Sequence, residues 1–101
     1  MAVFYGITCC CSNGLGSSLL VGMNIRSVLS ELGRSDIPVN HVPLSEANPM
    51  SRDLFVVGLD IAPQMGRFSS VIVLKDLISK DELREKLQRA FDSETRKFRI
   101  E

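Results

Sequence analysis

The stretch CCCSNGLGSS at residues 9–18 runs three thiols into a series of Gly, Asn and Ser residues. Gly14 and Gly16 let backbone N–H groups turn inward with no Cβ in the way. Ser17 and Ser18 lead into a helix whose first N–H groups and dipole attract anions. Residues 12–18, which are Ser12, Asn13, Gly14, Leu15, Gly16, Ser17 and Ser18, therefore read as an anion cradle with Cys11 at its lip. A cysteine at a helix N-terminus has a lowered thiol pKa and more thiolate. A thiolate in a phosphate cradle is a phosphoryl acceptor. No charged side chain occurs before Arg26, so the cradle would work through backbone dipoles alone. A fixed Arg or Lys would hold the phosphate too firmly for a carrier that must pass it on. The plainer alternative is a tight turn of small residues, with cysteine as a small hydrophobe. That alternative suits Cys9 and Cys10, which continue an apolar strand, better than Cys11, which opens the loop.

Other phosphate and thiol motifs fail on spacing. A Walker A loop needs Gly-Lys-Ser/Thr after its glycines, and no Lys follows here. The dinucleotide fingerprint lacks its third Gly, because Leu19 stands there. A cysteine phosphatase wants C-x5-R, and the sixth residues after Cys9, Cys10 and Cys11 are Leu15, Gly16 and Ser17. The cysteines are contiguous and odd in number, which is not a disulfide framework. With His41 the only histidine, no zinc spacing is present, and no metal or other cofactor is expected. Asp60 follows the third predicted strand on the loop's edge of the sheet. It is a candidate modulatory residue facing the thiol, with helix-turn capping as the stronger alternative. His41 reads as a structural histidine within a strand, and Arg52 and Arg67 as surface groups.

The elements that must hold this loop follow from periodicity. Residues 3–10 are apolar and β-prone almost throughout, as in a strand buried on both faces. Val21, Ile25, Val28, Leu29 and Leu32 recur at helical spacing, and Gly33 is a helix stop. Residues 39–44, 54–58 and 71–74 read as further strands, residues 45–50 as a short turn or helix, and residues 60–67 as one helical turn. Ser79 and Glu82 form a capping box, Ile78 and Leu83 a hydrophobic staple, and Leu83, Leu87, Ala90 and Phe91 a buried stripe. Alternating strands and helices predict an open α/β fold, a mostly parallel sheet with helices on both faces. Ligands of such folds bind beyond the carboxyl ends of strands where chain order reverses, which is where the loop falls. Residues 1–95 form one domain and 96–101 a polar, fraying C-terminal tail.

Composition narrows the function classes. The chain has 101 residues, 45% of them hydrophobic, and 12 basic against 12 acidic side chains. That neutral balance argues against nucleic-acid binding and against a polybasic membrane anchor. Eight basic and seven acidic side chains crowd residues 75–101, a solvated helix face rather than a binding patch. No stretch has the charge or apolar length of a signal peptide or membrane span, so the expected location is cytoplasmic without direct membrane insertion.

The loop Cys11-Ser12-Asn13-Gly14-Leu15-Gly16-Ser17-Ser18 resembles that of the IIB components of sugar phosphotransferase systems. The ascorbate-type branch, with Cys-Gly-Asn-Gly-x-Gly-Ser-Ser, is the nearest in pattern within this lactose/cellobiose-like superfamily. Ser12 departs from the usual Gly, and Cys9-Cys10 from the usual apolar pair. The resemblance implies a flavodoxin-like three-layer sandwich with a four-stranded parallel sheet of order 2-1-3-4, similar in topology to low-molecular-weight phosphatases. It implies that Cys11 takes a phosphoryl group from a phosphohistidine on a IIA partner. The phosphocysteine then passes it to a sugar, or sugar-like ascorbate, held by a membrane IIC permease. Two other classes fit the loop less well. A small cysteine-dependent reductase would want C-x-x-C or a distant resolving cysteine. A non-enzymatic anion-binding regulatory module of the same fold would need only the cradle.

Overall fold

In the computed structural model, the chain runs β1 (Ile7–Cys11), α1 (Gly16–Glu31), β2 (Val39–Pro43), β3 (Leu54–Gly58), β4 (Ser70–Leu74), α2 (Lys80–Asp92) and β5 (Phe98–Ile100). Two 3-10 turns, Leu44–Glu46 and Ala62–Gln64, follow β2 and β3. The structure describes residues 6–11, 16–48, 53–59, 61–68, 70–76, 79–92 and 98–100. The strands form one parallel sheet of order β2-β1-β3-β4-β5. Its first four members have the expected order 2-1-3-4, and the fold is α/β and flavodoxin-like.

Strand alternation divides the core in two. Ile7, Cys9, Leu54, Val56, Ile72 and Leu74 meet the buried stripes of both helices on one face. Val21, Ile25, Val28 and Leu29 of α1 are at most 3% exposed, as their spacing predicts. The α2 stripe Leu83, Leu87, Ala90 and Phe91 is buried on the same face. Cys10, Phe55, Val57, Val71 and Val73 point the other way, against Ile61, Ala62 and Met65. Phe68 packs there too, edge-on to Phe55 with ring centroids 4.7 Å apart. The expectation of helices on both faces is not met among the described residues: both α-helices share one face, and the other packs against the turn residues Ile61, Ala62 and Met65 with Ala47 and Phe68. Pro63 sits in the first turn of the second 3-10 segment, where its missing N–H leaves no bond unmade.

Helix ends follow their predicted signals. Gly33 adopts φ +73°, and α1 closes with Gly33 N–H bonded to Ser30 O and Arg34 N–H to Leu29 O, a Schellman motif. At α2, the Glu82 N–H donates to Ser79 Oγ at 3.2 Å, half of the expected capping box. The staple residue Ile78 lies outside the described residues.

The chain end differs from the predicted fraying tail. Phe98–Ile100 pairs in parallel with Ser70–Ile72 of β4, and Ile100 is only 8% exposed. The polar composition of the chain end hid this strand, because a run of three residues is too short for a periodic signal to read.

Candidate functional site

Cys11 is the last residue of β1 and lies opposite Pro43 of β2. On its other side β1 pairs with β3, Cys9 opposite Val56. The chain leaves β1 outward to β2 and returns to β3 across it, so Cys11 stands at the point where strand order reverses. α1 opens at Gly16, with Ser17 and Ser18 next, and has no acidic residue in its first turn. Nothing negative in that turn competes for its N–H groups. Ser12, Asn13, Gly14 and Leu15, the heart of the predicted cradle, lie outside the described residues, as does Asp60. The turn that Asp60 was expected to cap has Ile61 at its N-cap, with no side-chain cap bond.

The two preceding thiols are packed into opposite halves of the core. Cys9 is 2% exposed on the helix-bearing face and Cys10 4% exposed on the other. Contiguous cysteines point alternately because a strand does. His41 pairs in register with Cys9 from the sheet's edge strand, where it is exposed rather than buried.

Two polar arrangements escaped the sequence reading. Thr8 is buried beneath the site and donates its hydroxyl to Asp53 Oδ2 at 2.9 Å. Both line a 160 Å³ hollow together with Glu46, Asn48 and Phe55. Their separation of 45 residues leaves no local signal. The second is Lys86, 6% exposed, whose Nζ donates to Val73 O at 2.7 Å and to Glu82 Oε2 at 2.6 Å. The Glu82 carboxylate also accepts the N–H groups of Lys75 and Asp76, at 2.8 and 2.9 Å. This network ties the β4–α2 loop, on the same edge of the sheet as Cys11, to the helix. Burial alone would raise the Glu82 pKa, but the bonds from Lys86 and the two backbone N–H groups outweigh it and lower the value. A larger hollow of 400 Å³, lined by Arg26, Ser35 and Pro38 among others, lies at the start of β2, at the opposite end of that strand from Pro43.

The chain matches the family described as PTS system, Lactose/Cellobiose specific IIB subunit over residues 6–89. It belongs to this family. A IIB subunit is a component of a phosphotransferase system with a phosphoryl-carrier role in sugar transport, and the family implies IIA and IIC partners in general. No curated protein matches the chain. Among the described residues of this IIB subunit, no helix is long and apolar enough to cross a membrane.

Proposed function

We propose that this IIB subunit carries its phosphoryl group on Cys11. One observation carries the reading: Cys11 ends the strand at which chain order reverses, on the edge where α1 opens with two serines and no carboxylate. The donor is a phosphohistidine on a IIA partner. The thiol sulfur attacks phosphorus, the P–S bond forms as the P–N bond breaks, and the thiol proton passes to the leaving imidazole nitrogen. In the second step a hydroxyl of the sugar in the IIC permease attacks phosphorus. The P–O bond forms, the P–S bond breaks, and the hydroxyl proton ends on the cysteine. Backbone N–H groups from residues 12–18 stabilise the charge building on the phosphoryl oxygens in both transition states. Cys9 and Cys10 are packing residues. The subunit works at the cytoplasmic side of its permease.

The test is intact-mass analysis and rapid-quench labelling with a IIA protein phosphorylated from phosphoenolpyruvate. The protein gains the mass of one phosphoryl group, which peptide mapping finds on Cys11. Cys11→Ser retains the fold and loses the label. Labelling that survives in Cys11→Ser, or a mapped phosphate on Cys9 or Cys10, overturns the assignment.

A further inference from the structure

β2 is an outer strand of the sheet, paired with β1 on its inner side. The register fixes which of its backbone groups face outward. Ile7 is level with Val39, and its N–H donates to Pro38 O at 2.9 Å. Successive residues of a strand in a parallel pair alternate between facing the neighbour and facing away. Pro38, Asn40 and Val42 therefore turn their backbone groups to β1, and Val39, His41 and Pro43 turn theirs outward. Such an outer row is a template for a further strand. The strand reads VNHVP, without the Lys, Glu or Asp side chains that commonly keep an edge single.

Two of the three outward positions are closed by other means. The Val39 carbonyl already accepts a hydrogen bond from Arg26 Nη2 at 3.0 Å. Arg26 reaches it from α1, so its guanidinium fills the place that an incoming strand's N–H would take. Pro43 has no N–H to donate, and its ring projects where that hydrogen would point. His41 lies exposed between them, as the one outward residue of β2 with both groups open to pairing. A single residue of this kind offers two hydrogen bonds, too few to offset the backbone freedom an added strand would lose.

We infer that Arg26 and Pro43 together guard the β2 edge and prevent the sheet from pairing there with a second copy of this chain. A neutral strand meets its own copy without charge repulsion, so this edge has no electrostatic protection to fall back on. The other outer strand, β5, has three residues against five in β2, and is the poorer template. Pairing of β2 in one copy with β5 in the next would be heterologous, the kind of contact that builds filaments when it does not close. The guard also stands beside the thiol site, since Pro43 is level with Cys11. A strand added to β2 would lie about 10 Å from β1, two strand spacings away.

The test opens the edge and then closes it again. Arg26→Ala with Pro43→Ala frees one acceptor and supplies one donor without touching a bond between β1 and β2. In sedimentation this double variant self-associates about tenfold or more tightly than wild type, the gain from the restored hydrogen bonds. Adding His41→Pro removes the central outward N–H and returns the chain to wild-type behaviour. A double variant that sediments like wild type overturns the inference. So does association that survives His41→Pro, which places the contact on another surface, and so does association of wild type that His41→Pro abolishes. Hydrogen exchange in wild type tests the same register without any substitution. The His41 N–H exchanges about tenfold or more faster than those of Asn40 and Val42, which face β1. Equal protection of all three would mean that the β2 edge is already covered, and would overturn the guard whether or not the variants fold.

Discussion

Adjacent cysteines have different fates because a strand alternates. Cys9 and Cys10 are sealed into separate apolar clusters, at 2% and 4% exposure. A serine in either place exchanges a soft, largely apolar sulfur for a more polar hydroxyl inside a buried cluster. Cys9→Ser and Cys10→Ser are each expected to lower unfolding free energy by about 1–3 kcal/mol while keeping full phosphoryl labelling of the folded fraction. Urea melts beside labelling stoichiometry check both halves. A loss of label in Cys10→Ser without a loss of stability would make Cys10 more than packing. At this scale the sequence was informative where the signal is local. The position of Cys11 at the strand end, with the helix opening after it, follows from the switch from an apolar run to small residues. The Thr8–Asp53 pair was invisible because strand pairing across 45 residues creates it.

At the scale of elements, the helix stripes and the Gly33 stop were legible because each depends on spacing within one helix. Lys86 shows the limit of that method. It occupies a position three residues after Leu83 and one before Leu87, squarely on the buried stripe, yet a lysine there reads as solvent-facing. The Glu82 carboxylate and the Val73 carbonyl make its burial tolerable. Lys86→Met is expected to cost about 3 kcal/mol, the low end for breaking a buried pair, since Glu82 keeps two backbone donors. The pair also sets an acid dependence. Because the folded pKa of Glu82 is lowered, its contribution is present above the unfolded carboxyl value of about 4.3 and is lost as pH falls through the folded value. Stability measured from about pH 6 downward should fall less steeply in Glu82→Gln than in wild type. An identical slope would remove Glu82 from the acid response.

The whole molecule raises a question of handedness that concerns β5. From β1 to β2 the chain steps one way along the sheet with α1 over one face, and from β4 to β5 it steps the opposite way with α2 over the same face. The two crossovers therefore have opposite hands. With β1–α1–β2 right-handed, as such units nearly always are, β4–α2–β5 is left-handed. A strand added against the favoured hand is best understood as a late cover on a core that is already complete. That core is the four-stranded order 2-1-3-4 with its two helices, to which β5 adds the buried Ile100. Removing residues 98–101 is expected to lower stability by at least about 2 kcal/mol, the burial of Ile100 alone, without unfolding the chain. Cys11 lies on β1, three strands from β5, so phosphoryl uptake by the truncated protein should match wild type. The cost appears elsewhere. Without β5 the outer edge of β4, Ser70–Leu74, presents unpaired N–H and C=O groups on an apolar strand, a template for edge-to-edge pairing. The truncated protein should therefore self-associate in sedimentation at concentrations where the full chain does not. Ile100→Asp should act more mildly, weakening the cover without deleting the strand. Global unfolding of the truncated chain would mean that β5 is part of the folding core and that the left-handed crossover forms with it.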